Sequence, residues 1–420
     1  MGHDAAEPGR SFLVALVLFT FVMNLVARGT ADSFAVFLLP VQKGLGLSRP
    51  QITLTYAANL LTYGVSAPFA GQLIDRLGAR VTYGFGLASL GLGYLIAGFA
   101  SELWHYLIAV GVLGGLGSAA LGMIAASALL SRWFSSRIGS VMSVPYAAVG
   151  VGMLLVPTLA QLLLSRYDWR TTHQILGVAI LLLLPAVLLL PLGRVSAGSR
   201  QWQALRAASS ASATGPWTVS SAARTQAFWG LFAAYLFTSV AAYSVMPHSV
   251  AYLVEQGFDP LSAAGAFGFT GMLSVVGVLA IGWISDRFGR RRTAMLSYLS
   301  TIAGIICLLL VSVWPSSALV YAFVVFFGLM QGVRGPIIVA MVAVLFRGGG
   351  VGAIYGTLSL AMGLGAALGA WCSGLLYGWS GSYVASFLLA IAAALAGLGS
   401  FCFLPSLRPE GRVGADAGGA

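Results

Sequence analysis

The chain has 420 residues, 59% of them hydrophobic and only 8% charged, with a mean hydropathy of +0.91. That leaves too little polar surface for a soluble protein of this size, and long apolar runs between short polar breaks favour membrane-spanning helices over a barrel of alternating strands of about 10 residues. The net charge of +11 raises a nucleic-acid partner, but the placement of the basic residues argues for topology instead: with a cytoplasmic N-terminus and twelve crossings, sixteen of the 22 Lys and Arg fall in cytoplasmic segments and four (Lys43, Arg49, Arg166, Arg170) on the other side.

Residues 11–40 read as the first span, with no convincing cleavage site of a removed signal peptide, and residues 51–74 as the second. A charged turn at 71–80, GQLIDRLGAR, leads to spans at 81–100 and 103–131. The segment RWFSSRIG at 132–139 opens a fifth span that ends near residue 165, and a sixth covers 171–192. Residues 193–226 shift to Ser, Ala, Gly and Arg, the composition of a flexible cytoplasmic linker. Trp202 and Leu205 also allow a short amphipathic helix there, although a plain linker is the simpler reading. Spans 7 to 12 fall near 227–254, 262–285, 293–313, 317–346, 351–377 and 382–405. The expected organisation is an N-terminal six-helix bundle (1–192), the linker (193–226), a C-terminal six-helix bundle (227–406) and a disordered tail (407–420), in an all-α polytopic membrane protein. Glycines four apart, such as Gly111 and Gly115 or Gly365 and Gly369, read as close helix contacts.

The turn at 71–80 recurs at 282–291 as GWISDRFGRR. Gly71, Asp75, Arg76, Gly78 and Arg80 match Gly282, Asp286, Arg287, Gly289 and Arg291 at one constant offset, which marks the two halves as repeats. The pattern G-x-x-x-D-R-x-G-x-R between two membrane helices resembles the signature loop of the major facilitator superfamily. That resemblance implies twelve helices in two pseudo-symmetric bundles that rock about a central site. It also implies that contacts of Asp75, Arg76, Arg80, Asp286, Arg287 and Arg291 latch the outward-open state. Charges that merely set topology are the alternative.

Two basic residues remain inside spans, Arg28 and Arg334. An Arg at the bilayer centre costs about 2.5–3.5 kcal/mol on the insertion scale, so each should meet a partner or a water-filled cavity. Asp32 lies four residues after Arg28, on the same helix face, so a structural ion pair competes with a role in binding the substrate and coupling a proton. Arg334 sits in GVRGP, where Pro336 removes a helical donor and Gly335 loosens the turn. A planar guanidinium at such a kink suits a carboxylate, against a structural bond to another helix. Asn59, Tyr63, Tyr146, Tyr243, His248 and Gln331 are the polar side chains that could line the same cavity, though a lone Tyr in a span more often sits at a helix contact. Cys307, Cys372 and Cys402 lie in spans and His3, His105, His173 and His248 are scattered. No metal spacing, nucleophile triad or phosphate loop is present, so neither a cofactor nor an enzyme activity is expected.

Residues 33–53 (SFAVFLLPVQKGLGLSRPQIT), RWFSSRIG at 132–139, YDWR at 167–170 and GAWCSGLLYGWSGSY at 369–383 are similar to the monocarboxylate transporter and oxalate/formate antiporter branch of the superfamily. Gly378 stands where the branch usually has an Asp. The eighth span (262–285) lacks the intramembrane Arg, and the eleventh the Lys, that would hold a carboxylate; Arg28 and Arg334 would take over that task. The resulting expectation is a monomeric secondary transporter of a small organic anion, a mono- or dicarboxylate, in the cytoplasmic membrane with both termini cytoplasmic. Efflux of drugs or inorganic oxyanions is one alternative. A non-transporting sensor or scaffold is another, although a static scaffold needs no pair of latches.

Overall fold

The computed structural model describes residues 10–134, 138–190, 192, 198–199, 218–346 and 351–403. Among the described residues all regular structure is helical. In chain order the helices are α1 (Arg10–Asp32), α2 (Phe34–Leu45), α3 (Arg49–Ala97), α4 (Leu103–Tyr106), a π-helix (Leu107–Leu113), α5 (Gly114–Leu121), α6 (Met123–Leu130), α7 (Ile138–Leu164), α8 (Trp169–Leu181) and α9 (Leu183–Leu189). The second half comprises α10 (Val219–Ala222), α11 (Gln226–Tyr243), α12 (Met246–Glu255), α13 (Pro260–Phe288), α14 (Arg290–Val311), α15 (Ser317–Gln331), α16 (Arg334–Leu345), α17 (Val351–Ser380) and α18 (Val384–Phe403).

Among the described residues, ten stretches of helix are long and apolar enough to cross a bilayer. The two arms of α3 supply the other two crossings, because Gly78, at φ 80° and ψ 174°, breaks that helix. Only glycine adopts this conformation without strain. The arms then flank the Leu103–Leu130 span in opposite directions. Gly111 and Gly115 meet Thr55 and Asn59 of the first arm in ascending order, while Gly93 and Leu90 of the second arm meet Ala109 and Gly117 in descending order. Gly289, at φ 82°, makes the equivalent turn between α13 and α14.

The repeat extends to the hydrogen bonds. Arg80 donates to the carbonyl of Leu190 at 2.9 Å, and Arg291 donates to the carbonyls of Phe401 at 2.7 Å and Cys402 at 3.0 Å. Donor and acceptor shift together, 80 to 291 and 190 to 401. In each bundle the last arginine of the signature thus caps the exposed carbonyls at the end of the bundle's final span, where a cation is favoured.

Two departures from the sequence expectation bear on the charged residues. The first span does not stop at Pro40. It bends at Ser33 and continues through Pro40 to Leu45, where Gly46 at φ 64° closes it by donating to the carbonyls of Gln42 and Lys43. The tenth span is interrupted between Gln331 and Arg334. Of the expected linker, only 198–199 and 218–226 are described, including α10 with its Thr218 cap; the tail at 407–420 lies outside the described residues.

Among the described residues, two long seams join the halves, and α2 also packs against α12. In one, Leu154 and Met153 of α7 sit against Gly268 and Gly271 of α13. In the other, the first arm of α3 runs along α17, with Thr53 against Gly374 and Gly64 against Gly363. Beyond that point, toward the signature loops, the halves part: Gly356 has open space around it and Tyr146 is 46% exposed. The cleft therefore opens on the signature-loop side.

Candidate functional site

The first span bends where the charge lies. The carbonyl of Thr30 accepts from the hydroxyls of Ser33 at 2.6 Å and Tyr94 at 2.5 Å, a side-chain competition for helical acceptors that bends helices. Just before the bend, α1 touches α7 backbone to backbone. A Cβ on Gly29 would come within 2.6 Å of the carbonyl oxygen of Gly152, and one on Gly152 within 2.7 Å of that of Leu25.

At this seat Arg28 Nε donates to Asp32 Oδ2 at 2.8 Å. The Asp32 side chain is fully buried, while 26% of the Arg28 side chain stays exposed. The Tyr56 hydroxyl of α3 lies 3.5 Å from Asp32 Oδ1, and its ring stacks on Phe34 at 4.7 Å. Across the seam, the ring of Tyr243 on α11 lies 5.8 Å from the guanidinium carbon of Arg28. Sequence spacing alone anticipated the pair; the structure adds that it faces the other half. The geometry suits an anion, because Asp32 engages the guanidinium by its Nε edge while part of the Arg28 side chain stays exposed. Truncating one member of such a buried pair leaves the other uncompensated, at a cost of about 3–5 kcal/mol.

Arg334 occupies the first turn of α16, just past the break. It is 2% exposed, donates to Thr301 Oγ1 and covers the ring of Tyr298 at 4.5 Å, both on α14. Its Nε and Nη1 have no hydrogen-bond partner among the described residues. The structure therefore does not bring Arg334 to Arg28; it turns the side chain into its own bundle. Gln331 donates Nε2 to the sulfur of Met246 at 2.7 Å and leaves Oε1 unpartnered.

The other expected cavity residues divide. Tyr63 and Tyr243 are half-buried and Tyr146 exposed, at the cleft. Asn59 points elsewhere: it donates to the carbonyl of Val110 at 2.7 Å, in the π-helix whose looser winding frees acceptors for side chains. His248 is fully buried. Its Nε2 donates to the carbonyl of Ala370 at 3.1 Å, which leaves Nδ1 to accept from Tyr383 at 3.3 Å. It fastens α12 to α17 at a helix contact.

In the signature turns, Asp75 accepts from Arg132 at 2.7 Å, which also donates to the carbonyl of Ile74 at 3.2 Å. Gly71 meets Ile124, and Arg76 and Arg287 are exposed. The side chains at Gly282 and Asp286 lie outside the described residues. Asp75, Arg80 and Arg291 are thus all held inside their own bundles, as suits a cleft that is open on this side.

On the opposite side, Arg49 of α3 pairs with Glu255 of α12 at 2.5 Å and lies 4.4 Å from the ring of Tyr377 on α17. Sequence reasoning took Arg49 only as a topology charge and missed Tyr56, Glu255 and Tyr377 altogether. No spacing links residues 206 positions apart. A cavity of about 330 Å³ bounded by Ser66, Phe69, Val81, Phe85 and Leu116 has no charged lining residue and lies away from Arg28. Among the described residues, no group of three His, Cys, Asp or Glu could hold a metal ion.

The family model described as Major Facilitator Superfamily matches residues 16–336 and 275–419. Monocarboxylate transporter 13 of Rattus norvegicus is 28% identical over 411 residues, covering 96% of this chain and 92% of its own. The 3-(3-hydroxy-phenyl)propionate transporter of Escherichia coli is 27% identical over 406 residues, covering 93% and 88%. In structure, the inward open conformation of the E. coli xylose transporter XylE superposes with a TM-score of 0.72 at 13% identity, over 94% of this chain and 97% of that one.

Proposed function

Because the chain belongs to the Major Facilitator Superfamily, we propose that it is a monomeric secondary transporter that moves a small organic anion, a mono- or dicarboxylate, by alternating access of its two bundles (1–192 and 227–406). The observation that carries this reading is Arg28, a guanidinium held by a buried carboxylate yet 26% exposed at the seam between the halves. A substrate there touches both bundles and can couple their motion. The relatives named for monocarboxylates and for a phenylpropionate share the carboxylate that such a fork binds with two parallel hydrogen bonds.

Asp32 gives the site its means of proton coupling. It sits in the membrane interior and counters Arg28, so protonation of Asp32 and arrival of an anion are alternative ways of balancing that guanidinium. Arg334 is enclosed in its own bundle here, so its two unpartnered nitrogens would serve an anion only in another state of the transport cycle that uncovers them. The concentration of basic residues on the signature-loop side supports reading that side as cytoplasmic and the membrane as the cell's inner one.

The test is a thermal-shift screen of the detergent-purified protein against lactate, butyrate, succinate, phosphate and sulfate, run on wild type and Arg28→Ala. A ligand that binds only the folded state stabilises it by about 2.7 kcal/mol at a hundred times its dissociation constant. A carboxylate should raise the melting temperature of wild type and not of the variant. Equal stabilisation of both, or of neither by any anion, overturns the reading.

A further inference from the structure

Arg49 is a second cation at the seam, and it is held differently from Arg28. It begins the first arm of α3, its side chain is 4% exposed, and its Nη2 donates to Oε1 of Glu255 at 2.5 Å. Its Nε and Nη1 have no hydrogen-bond partner among the described residues. The guanidinium carbon lies 4.4 Å from the ring centre of Tyr377 and 5.7 Å from that of Tyr383. Glu255, Tyr377 and Tyr383 all belong to the second half. Arg28 carries its carboxylate on its own helix, whereas Arg49 loses all three of these neighbours together when the halves part on this side. Glu255 loses less, because the Tyr377 hydroxyl donates to both of its oxygens at 3.2 Å and moves with the same bundle.

A guanidinium binds a carboxylate by two parallel hydrogen bonds along either of two edges, Nε with Nη2 or Nη1 with Nη2. Both edges contain Nη2, the nitrogen that Glu255 holds through one oxygen. A free carboxylate that binds Arg49 in this way must therefore displace Glu255, and it offers the guanidinium two bonds in place of one. A charge this enclosed is costly without a counter-charge, so the exchange keeps Arg49 paired while the two bundles let go of each other. The Glu255 side chain is 29% exposed, which gives an anion from solvent access to the pair.

We propose that Arg49 is an anion site on the side away from the signature turns, with Glu255 as its resident carboxylate, and that a substrate carboxylate opens the cleft there by taking the place of Glu255. This inference rests on the organic-anion reading above and deepens it. Arg49 meets the substrate at the mouth, and Arg28 holds it between the bundles. Because the incoming anion replaces one already present, it shifts the population toward the open state and adds little to overall stability. Its signature is therefore conformational.

The test is the rate at which a maleimide labels Thr53→Cys, buried in this seam, in the whole detergent-purified protein without its native cysteines. Lactate, butyrate and succinate are titrated against chloride at constant ionic strength, because salt alone weakens an ion pair. At least one carboxylate should raise the rate saturably, by about fivefold or more. The rise should persist when Arg28→Gln and Asp32→Asn are combined, which removes the central pair without leaving a buried ion unpaired. It should vanish in Arg49→Gln. Glu255→Gln also breaks the pair but keeps Arg49, so it should still respond, and at lower carboxylate concentrations than wild type. A rise that survives Arg49→Gln, that is lost with the Arg28 pair, or that chloride reproduces overturns the proposal, as does an unchanged half-saturating concentration in Glu255→Gln. If a carboxylate stabilises wild type in the thermal-shift screen yet none moves the labelling rate, the Arg49 site falls and the organic-anion reading stands. Failure of every carboxylate to bind wild type overturns both.

Discussion

Arg49 and Glu255 meet at 2.5 Å across the seam between the bundles, on the side away from the signature turns. Arg49 starts α3 and Glu255 ends α12. The Tyr377 ring lies 4.4 Å from the guanidinium carbon and its hydroxyl donates to both Glu255 oxygens at 3.2 Å, so three helices close the cleft at that end. The pair must separate if the cleft is to open there.

Glu255→Gln should therefore raise the population of the state open on the Arg49 side. Glu255 keeps 29% of its side chain exposed, so solvent screening limits the loss to about 1–2 kcal/mol, a population shift of roughly 5- to 30-fold. A cysteine at Thr53, which packs against Gly374 in this seam, placed in a background free of the native cysteines, reports it by its labelling rate with a membrane-impermeant maleimide. An unchanged rate would show that the pair does not hold the closure.

Asp32→Asn should keep substrate binding and abolish the response of transport to an imposed pH gradient. The substitution removes the proton site and leaves Arg28 in place. Uptake into proteoliposomes with and without a gradient measures it, and a wild-type response in the variant would remove Asp32 from proton coupling.

Arg334→Ala should insert and fold yet lose transport, whereas Arg334→Met should restore packing against Tyr298 without restoring transport. Uptake by the Met variant at the wild-type rate would assign Arg334 a packing role alone. The two proteins are compared at equal folded amounts, judged by size-exclusion chromatography.

Gly152→Val should lower the melting temperature by several degrees, because its Cβ would lie 2.7 Å from the Leu25 carbonyl and overpacking costs about 1–3 kcal/mol. Gly356→Ala, with open space around it in the interior of α17, should match or exceed wild type, since Ala outranks Gly in helices by about 1 kcal/mol. Equal effects of the two would contradict the packing described for α1 and α7.

Asp168 caps α8 from an exposed turn by accepting from the backbone of Thr171 at 2.8 Å. Those hydrogen bonds to Thr171 hold its carboxyl below the usual carboxylate range. A depressed value contributes stability that is present above the unfolded-state pKa and lost as pH falls through the folded-state one. Asp168→Ala should cost about 1 kcal/mol at neutral pH, and the gap to wild type should close under acid conditions. A gap independent of pH would assign the loss to something other than the carboxylate cap.

Much of this protein is determined by sequence alone, for reasons that are local. Membrane class follows from composition, the span count from run lengths, and the two-bundle plan from the repeated turn, because Gly78 and Gly289 can adopt positive φ wherever the rest of the chain lies. The Arg28 and Asp32 pair is also local: four residues on a helix place the two side chains on one face. Tertiary structure alone decided what those charges face. Arg334 has the same sequence credentials as Arg28, yet its neighbours on α14 turn it into its own bundle. Asn59 reads as a cavity residue until the π-helix offers it the Val110 carbonyl. Tyr56, Arg49 and Glu255 carry no sequence signal, because their partners lie on other helices, and contacts at such separations are set only when the helices pack.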